Sequence, residues 1–147
     1  MTPVSEQIPA GYSRHFHSSP LTDPWEPLYS KVENGAILLA LRIRQPHCNS
    51  RGFAHGGLIS ALADNAMGLS LHETLRARQQ IEPGGLVTIS LSLDFLGAAK
   101  IDQWHEVVPR VLRAGGSLGF VDCLVRADDQ PIARGNATFR IFRAGEH

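Results

Sequence analysis

The chain has 147 residues, 43% of them hydrophobic and 19% charged, which predicts one globular domain and excludes a disordered chain. Its 14 basic and 14 acidic residues balance, which argues against nucleic acid as the main partner. No apolar run approaches the roughly 20 residues of a membrane span, and no secretory signal is visible at the N-terminus. With two cysteines, Cys48 and Cys123, we expect a reduced, cytoplasmic protein.

The first 27 residues are rich in Pro, Ser and His and have no strong period. We interpret residues 1–27 as an arm lying on the domain, which comprises residues 28–147. Within the arm, Tyr12 to Phe16 is compatible with a short helical turn. Next, the apolar runs Leu28 to Glu33 and Ala36 to Arg44 flank Asn34-Gly35, a dipeptide typical of two-residue β-hairpins.

A helix is predicted from Gly56 or Gly57 to about Arg78. Up to Leu71 its only ionisable residue is Asp64, and a helix apolar nearly all round is a buried helix. A buried carboxylate is costly unless it is paired, neutralised or used in chemistry. Asp64 also belongs to a stripe of small residues at helical spacing, where a ligand or a second backbone can approach. The stripe consists of Gly57, Ala61, Asp64 and Gly68.

Four further strands are predicted after the helix, at Val87 to Phe95, Gln103 to Arg113, Ser117 to Ala127 and Ile132 to Phe142. The strand Val87 to Phe95 alternates strictly between apolar and polar residues. In the second strand, Pro109 indicates a bulge or an edge position. Small residues in the last strand permit close approach of a helix. Hairpin-length connections predict antiparallel pairing. The resulting fold class is α+β, one helix against one curved antiparallel sheet, with a second copy covering the rest of the helix.

The glycines at the helix start are expected to leave backbone N–H groups free, which suits a carbonyl oxygen gaining negative charge; their alternative role is a tight turn. Asp64 is a candidate nucleophile or general base, and the alternative is a carboxylate pinned by a hydrogen bond. Because eight residues of helix separate Gly56 from Asp64 by about 12 Å, one helix cannot bring both to one carbonyl carbon. Two antiparallel helices related by a two-fold axis can, so the spacing predicts a site at a homodimer interface.

Three other polar residues are candidates for the same site. Asn49 can donate to a carbonyl oxygen or form an Asx-turn, and His55 can orient the loop, contact the substrate or merely pack. Thr88 can hold a water or serve as an ordinary strand residue. A zinc site from His47, Cys48 and His55 fits no known ligand spacing, so we expect no metal.

Taken together, Asn49-x-x-Gly52-x-x-His55-Gly56-Gly57, Asp64 in the helix and the Thr88-led strand ending Asp94-Phe95-Leu96 resemble the hotdog-fold acyl-CoA thioesterases, and most of all their PaaI-like group. The resemblance spans roughly Leu28 to Phe142. It implies a helix wrapped by an antiparallel sheet, dimers that pair into tetramers, and hydrolysis of a small, medium-chain or aromatic acyl-CoA without a cofactor. The pattern departs at Ala98, where the family commonly has proline.

By the same resemblance, Asp64 is the nucleophile or activates water, Gly56 polarises the carbonyl and Thr88 helps hold the water. Asn49 and His55 position the thioester from the partner subunit. Two other functions stay open on the sequence alone: a non-catalytic acyl-CoA-binding domain, and a hydratase or dehydratase, which would pair its acid with a histidine on the helix. The helix has no histidine before His72.

Overall fold

A computed structural model of the protein describes residues 2–3, 7–78 and 83–143. They form one long helix and one seven-stranded antiparallel sheet, which confirms the predicted α+β hotdog class. The elements are β1 (Ser13–Arg14), β2 (Tyr29–Glu33), β3 (Ala36–Arg42), α1 (Gly56–Ala77), β4 (Pro83–Phe95), β5 (Trp104–Ala114), β6 (Leu118–Ala127) and β7 (Gln130–Arg143). Among the described residues, no helix is both long and apolar enough to span a membrane.

The hairpins follow the turn residues. Asn34 and Gly35 both have positive φ, 53° and 78°, as a two-residue turn between twisted strands requires. Asp128 and Asp129 repeat this geometry between β6 and β7, with φ of 46° and 68°. The predicted β2–β3 and β6–β7 hairpins are therefore confirmed.

The sheet has the order β1-β2-β3-β5-β6-β7-β4, so β4 lies at one edge and, among the described residues, pairs only with β7. The expectation that short connections pair every successive strand of the second half was wrong at one place. After β4 the chain crosses to the other side of the sheet, and β5 pairs with β3 and β6. On the way, residues 96–103 meet the loop before the helix, where Ala54 N–H donates to Ala99 O at 2.9 Å.

Helix α1 packs its apolar side on the concave face of the sheet. An ideal Cβ at Gly119 of β6 would overlap the end of the Leu71 side chain, so glycine at this position leaves room for Leu71 of the helix. At Gly135 of β7 a Cβ would meet Leu93 and Cys123 and not the helix. Helix and sheet are also joined by Ser70, whose Oγ accepts from the Ile37 N–H at 3.0 Å.

Within the N-terminal arm, Tyr12 lies on the convex face of the sheet. Tyr12 packs edge-on against Trp104, with 5.1 Å between ring centroids, and its hydroxyl donates to Glu106 Oε2 at 2.5 Å. A helical turn, with which the sequence of Tyr12 to Phe16 is compatible, does not form there, because β1 (Ser13–Arg14) pairs with β2 as a short strand.

The proline of β5 marks the place where two strands separate. Ladder pairing between β3 and β5 ends at Leu39 and Val107, so Pro109 needs no N–H donor on that side and pairs only toward β6, opposite Cys123. A cavity of about 590 Å³ opens beyond the end of this ladder, lined by the β2–β3 hairpin, β5 and the C-terminal turns of α1.

Candidate active site

The start of α1 has one capped and one free backbone donor. His55 is the N-cap residue, and its Nδ1 accepts from the Gly57 N–H at 2.8 Å. A Cβ at Gly57 would lie 2.9 Å from that nitrogen, so the cap requires glycine at position 57. In the described part of the chain no group accepts from the Gly56 N–H. Of the two glycines predicted to leave donors free, only Gly56 does so.

Asn49 holds the preceding loop in shape. Its Oδ1 accepts from the backbone N–H groups of Arg51 and Phe53, at 2.9 and 3.2 Å, which is the Asx-type turn considered as the alternative role. The side-chain Nδ2 makes no hydrogen bond within the described residues. Asn49 therefore fixes the loop through its oxygen and keeps its N–H donors available.

In the middle of the helix, Asp64 contacts β4. The hydroxyl of Thr88 donates to Asp64 Oδ1 at 2.6 Å, and both side chains are half-buried. In the described part of the chain, Oδ2 has no hydrogen-bond partner. One oxygen is thus held in place and the other remains free to take a proton or attack a carbon.

A β-bulge brings Thr88 to this position. Thr88 lies opposite Phe139 and Ser90 lies opposite Thr138, so Ile89 is an additional residue between them. Since Phe139 is buried beneath the helix, Thr88 shares the concave face with Leu91, which lies opposite Ala137. The strictly alternating pattern predicted for β4 places Thr88 and Leu91 on opposite faces, and that detail was wrong.

The five candidate residues form two separate groups in one chain. Asn49, His55 and Gly56 lie at the helix start, whereas Asp64 and Thr88 lie two turns further along. A rise of about 1.5 Å per residue keeps the two groups roughly 12 Å apart. Within one chain, therefore, the free N–H donor and the free carboxylate oxygen do not face a common point.

One side chain at the helix start was not predicted. The ring of Phe95, at the end of β4, lies beside Gly56: a Cβ added at Gly56 would be 3.4 Å from Cζ of Phe95. Phe95 is 52% exposed, so its ring borders the free N–H without filling the space before it. The apolar end of β4 was visible in the sequence, but its meeting with the helix start depends on the antiparallel course of these two elements.

The remaining histidines and cysteines have structural surroundings. His47 is buried, with Nδ1 accepting from the Arg44 N–H and Nε2 bonded to Trp25 O. The buried ring nitrogens of His105 have no hydrogen-bond partner among the described residues, and burial, together with the nearby His47, lowers the pKa of His105 to about 4. Both cysteines are free, and burial raises the pKa of Cys123 to about 12. No cluster of potential metal ligands occurs among residues 2–3, 7–78 and 83–143.

The cavity between β3 and β5 is not part of this site. It borders Thr74 and Ala77, at the opposite end of α1 from His55 and Gly56. Around Asp64 the surface is open instead, since Leu91, which lies on the same face of the neighbouring strand as Thr88, is 38% exposed. A water-excluding pocket around Asp64 is therefore absent from the described residues of the single chain.

Comparison with known proteins places these features in context. Residues 51–133 match the Thioesterase superfamily. A Pseudomonas aeruginosa protein named as an esterase is 34% identical over 135 residues, which cover 91% of this chain and 97% of that protein. Human acyl-coenzyme A thioesterase 13 is 29% identical over 106 residues, 71% of each chain.

The fold has a solved counterpart in a variant of the phenylacetic acid degradation protein PaaI from Thermus thermophilus. It superimposes with a TM-score of 0.71 at 20% sequence identity, over 84% of this chain and 100% of that one. At this identity the likeness concerns the fold alone. The family match confirms that the predicted resemblance to thioesterases is correct, and the PaaI structure shares the fold.

Proposed function

The chain belongs to the thioesterase superfamily and is a thioester hydrolase, and from this premise we propose that it hydrolyses an acyl-CoA at a site shared between two copies of the chain. The observation that carries the proposal is the hydrogen bond from Thr88 to Asp64 Oδ1, which orients a carboxylate whose second oxygen is free. Human acyl-coenzyme A thioesterase 13 is named for the same substrate class. The acyl group is proposed to be small, medium-chain or aromatic.

Asp64 has one of two roles in this proposal. As general base, it takes a proton from water while the water oxygen attacks the thioester carbonyl carbon. As nucleophile, its carboxylate attacks that carbon and forms an anhydride, which water then cleaves. In both cases the C–S bond breaks, CoA leaves as the thiolate and takes up a proton, and the products are the free acid and CoA. Water is the only co-reactant, so no further cofactor is required.

The free Gly56 N–H is the proposed donor to the carbonyl oxygen. It lies at the N-terminus of a 22-residue helix, where the helix dipole favours negative charge. A donor aimed at the developing oxyanion typically contributes a factor of about 100 to 1000 in kcat.

A second copy is proposed because one chain keeps the two groups apart. A two-fold axis near the middle of α1 brings Gly56 of one copy toward Asp64 of the other, giving two sites per dimer. The stripe Gly57, Ala61, Asp64 and Gly68 supports this, since none of these residues is fully buried in the single chain. So does β4, a 13-residue edge strand with large apolar side chains exposed.

Asn49 and His55 are proposed to position the thioester from the copy that supplies Gly56. Asn49 retains its Nδ2 donors because its oxygen is used within the loop. His55 accepts the Gly57 N–H at Nδ1, so the neutral ring carries its proton on Nε2 and can donate it to the substrate.

Hydrolysis by an Asp64→Asn variant tests this assignment. The amide can neither attack carbon nor take a proton, while its size and its contact with Thr88 are preserved, so we expect kcat to fall by at least about 1000-fold with the dimer intact. The assay measures thiol release over a panel of acyl-CoA substrates, with light scattering to verify the assembly.

Asp94→Asn is the matched control. Asp94 pairs with Arg134 on the convex face, where both side chains are largely exposed, and we expect unchanged turnover. Wild-type turnover by Asp64→Asn on the best substrate would refute the catalytic role of Asp64. A fully active monomer would refute the shared site.

A further inference from the structure

Most cations in the described part of the chain have a partner. Arg14, Lys31, Arg76, Arg110, Arg126 and Arg134 pair with carboxylates. Arg42 and Arg44 donate to backbone carbonyls. The side chains of Arg51 and Lys100 form no such contact within the described residues, and both residues are exposed.

These two residues lie together beside the start of α1. The Arg51 N–H donates to Asn49 Oδ1, and Lys100 forms a β-bridge with Phe53, two residues after Arg51. His55, the helix N-cap, follows two residues after the bridge. Two cations without counter-ions thus border the loop that ends at the free Gly56 N–H.

The position matters because two other exposed cations without an ion pair among the described residues, Arg78 and Arg113, are distant. Arg78 lies at the far end of α1, and Arg113 lies near the far end of β5, beyond the residues that border Thr74 and Ala77. Since neighbouring like charges repel, Arg51 and Lys100 together favour an anion between or beside them. The remaining question is which anion reaches this loop.

We propose that Arg51 and Lys100 bind the phosphate groups of the CoA nucleotide, with the pantetheine arm running from there to Gly56. This inference rests on the proposed function, which places the thioester carbonyl at Gly56. Phosphate oxygens accept charge-assisted hydrogen bonds from guanidinium and ammonium groups, and exposed cations also accelerate the encounter with a polyanionic substrate. The two side chains therefore select CoA over thioesters that lack the nucleotide.

Their contribution is to binding and not to bond breaking. For Arg51→Ala and Lys100→Ala we expect kcat/KM on acyl-CoA to fall about 10-fold each, mainly through a higher KM. For the double variant we expect about 100-fold, because contacts to separate phosphates are nearly additive. With the same acyl group on pantetheine, every variant should match the wild type.

Arg78→Ala and Arg113→Ala are the matched controls, because they remove equally exposed cations at the other end of the fold. Arg51→Lys keeps the charge and should retain most of the activity. High ionic strength should raise the KM of the wild type for acyl-CoA and leave the KM for acyl-pantetheine unchanged, because screening acts only on the charged substrate.

Calorimetric binding of CoA, dephospho-CoA and pantetheine provides a test independent of turnover. Weaker binding of CoA, with unchanged binding of pantetheine, by the double variant supports the proposal. Binding of dephospho-CoA, which lacks the 3′-phosphate, then shows whether the two side chains contact the 3′-phosphate or the diphosphate. Unchanged CoA affinity, or equal loss for CoA and pantetheine, overturns it. A wild type that binds CoA through Arg51 and Lys100 but hydrolyses no thioester instead contradicts the proposed function.

Discussion

Strands β3 and β4 both carry several large apolar side chains, but their surroundings contrast. In β3, Leu39 and Leu41 are 0% exposed, whereas in β4 Val87 and Ile89 are 53% and 57% exposed. The helix covers the concave face of β3, and β2, β5 and the N-terminal arm complete its surroundings. β4 has a neighbour on one side only. The chain encloses one side of its sheet and leaves the other open, and the open side bears the Thr88–Asp64 pair.

This contrast supports the proposal that a second copy completes the site. An exposed apolar edge is a liability unless something covers it, and a free carboxylate needs a water-excluding site to act efficiently. A second copy on β4 would meet both needs. The following expected effects test the contrast between the closed and open sides, and they begin with the largest.

Ile89→Asp should disrupt assembly through the open side. A charge buried without a partner in an interface costs about 4 kcal/mol, which corresponds to about a 1000-fold rise in the dimer dissociation constant. Light scattering should therefore detect a folded monomer, and thiol release should fall with it. Val32→Asp is the control, since Val32 is 69% exposed at the end of β2 and away from β4. If Ile89→Asp remains a dimer, β4 is not the interface.

On the closed side, the burial of His105 should make the stability of the folded protein sensitive to acid. His105 has a folded-state pKa of about 4, below its ordinary value of about 6.5, so protons bind the unfolded chain preferentially between these values. Stability should be fully present above pH 6.5 and decrease by about 3 kcal/mol as the pH falls to 4. Urea unfolding at several pH values measures this loss.

His105→Leu removes that titration, so its stability should depend less on pH between 6.5 and 4 than the stability of the wild type. His17→Leu, at an exposed position of the arm, should behave as the wild type does. Parallel pH profiles for wild type and His105→Leu would mean that His105 does not account for the loss.

Thr88→Ala tests the pair on the open side without disturbing assembly. Loss of the hydroxyl frees Asp64 Oδ1, and we expect kcat to decrease about 10-fold, equivalent to about 1.4 kcal/mol of transition-state stabilisation. Thr88→Ser keeps the donor and should retain nearly all of kcat. A lower kcat in the serine variant, equal to that of alanine, would show that the methyl group matters and not the hydrogen bond.

Tyr12→Phe should have the smallest effect, on the closed side. The variant loses the hydrogen bond to Glu106 but keeps the ring against Trp104, and Arg126 still pairs with that carboxylate at 2.6 Å. We expect the free energy of unfolding to decrease by about 1 kcal/mol with thioesterase activity unchanged. Reduced activity at full stability would indicate that the arm contributes to the site.

The features that could be predicted from the sequence are those that depend on residues close together in the chain. Asn34-Gly35 indicated a turn with positive φ, and the apolar run after Gly56 indicated a helix to about Arg78, against Ala77 observed. The bulge at Ile89 was not predictable in this way, because an additional residue in an edge strand does not interrupt apolar alternation. The pattern alone therefore placed Thr88 on the wrong face, although the family resemblance had already associated it with Asp64.

Long-range pairing explains the rest. The connection 96–103 has hairpin length, yet it carries β5 across the sheet and brings Lys100 beside the loop of Arg51. No local preference distinguishes this crossing from a hairpin, since the choice depends on which strand neighbours bury more apolar surface. For the same reason, the unpaired cations at the helix start were not predicted.

By itself the sequence determined the element types, the buried helix with Asp64, and the separation of Gly56 from Asp64, because helix rise and side-chain period are properties of the local backbone. Tertiary structure decided which residues meet: Thr88 with Asp64 through a bulge, Phe95 with Gly56 through antiparallel packing, and the arm with Trp104. Those contacts join residues far apart in the chain, and the free energy that selects them comes from burial of the whole core.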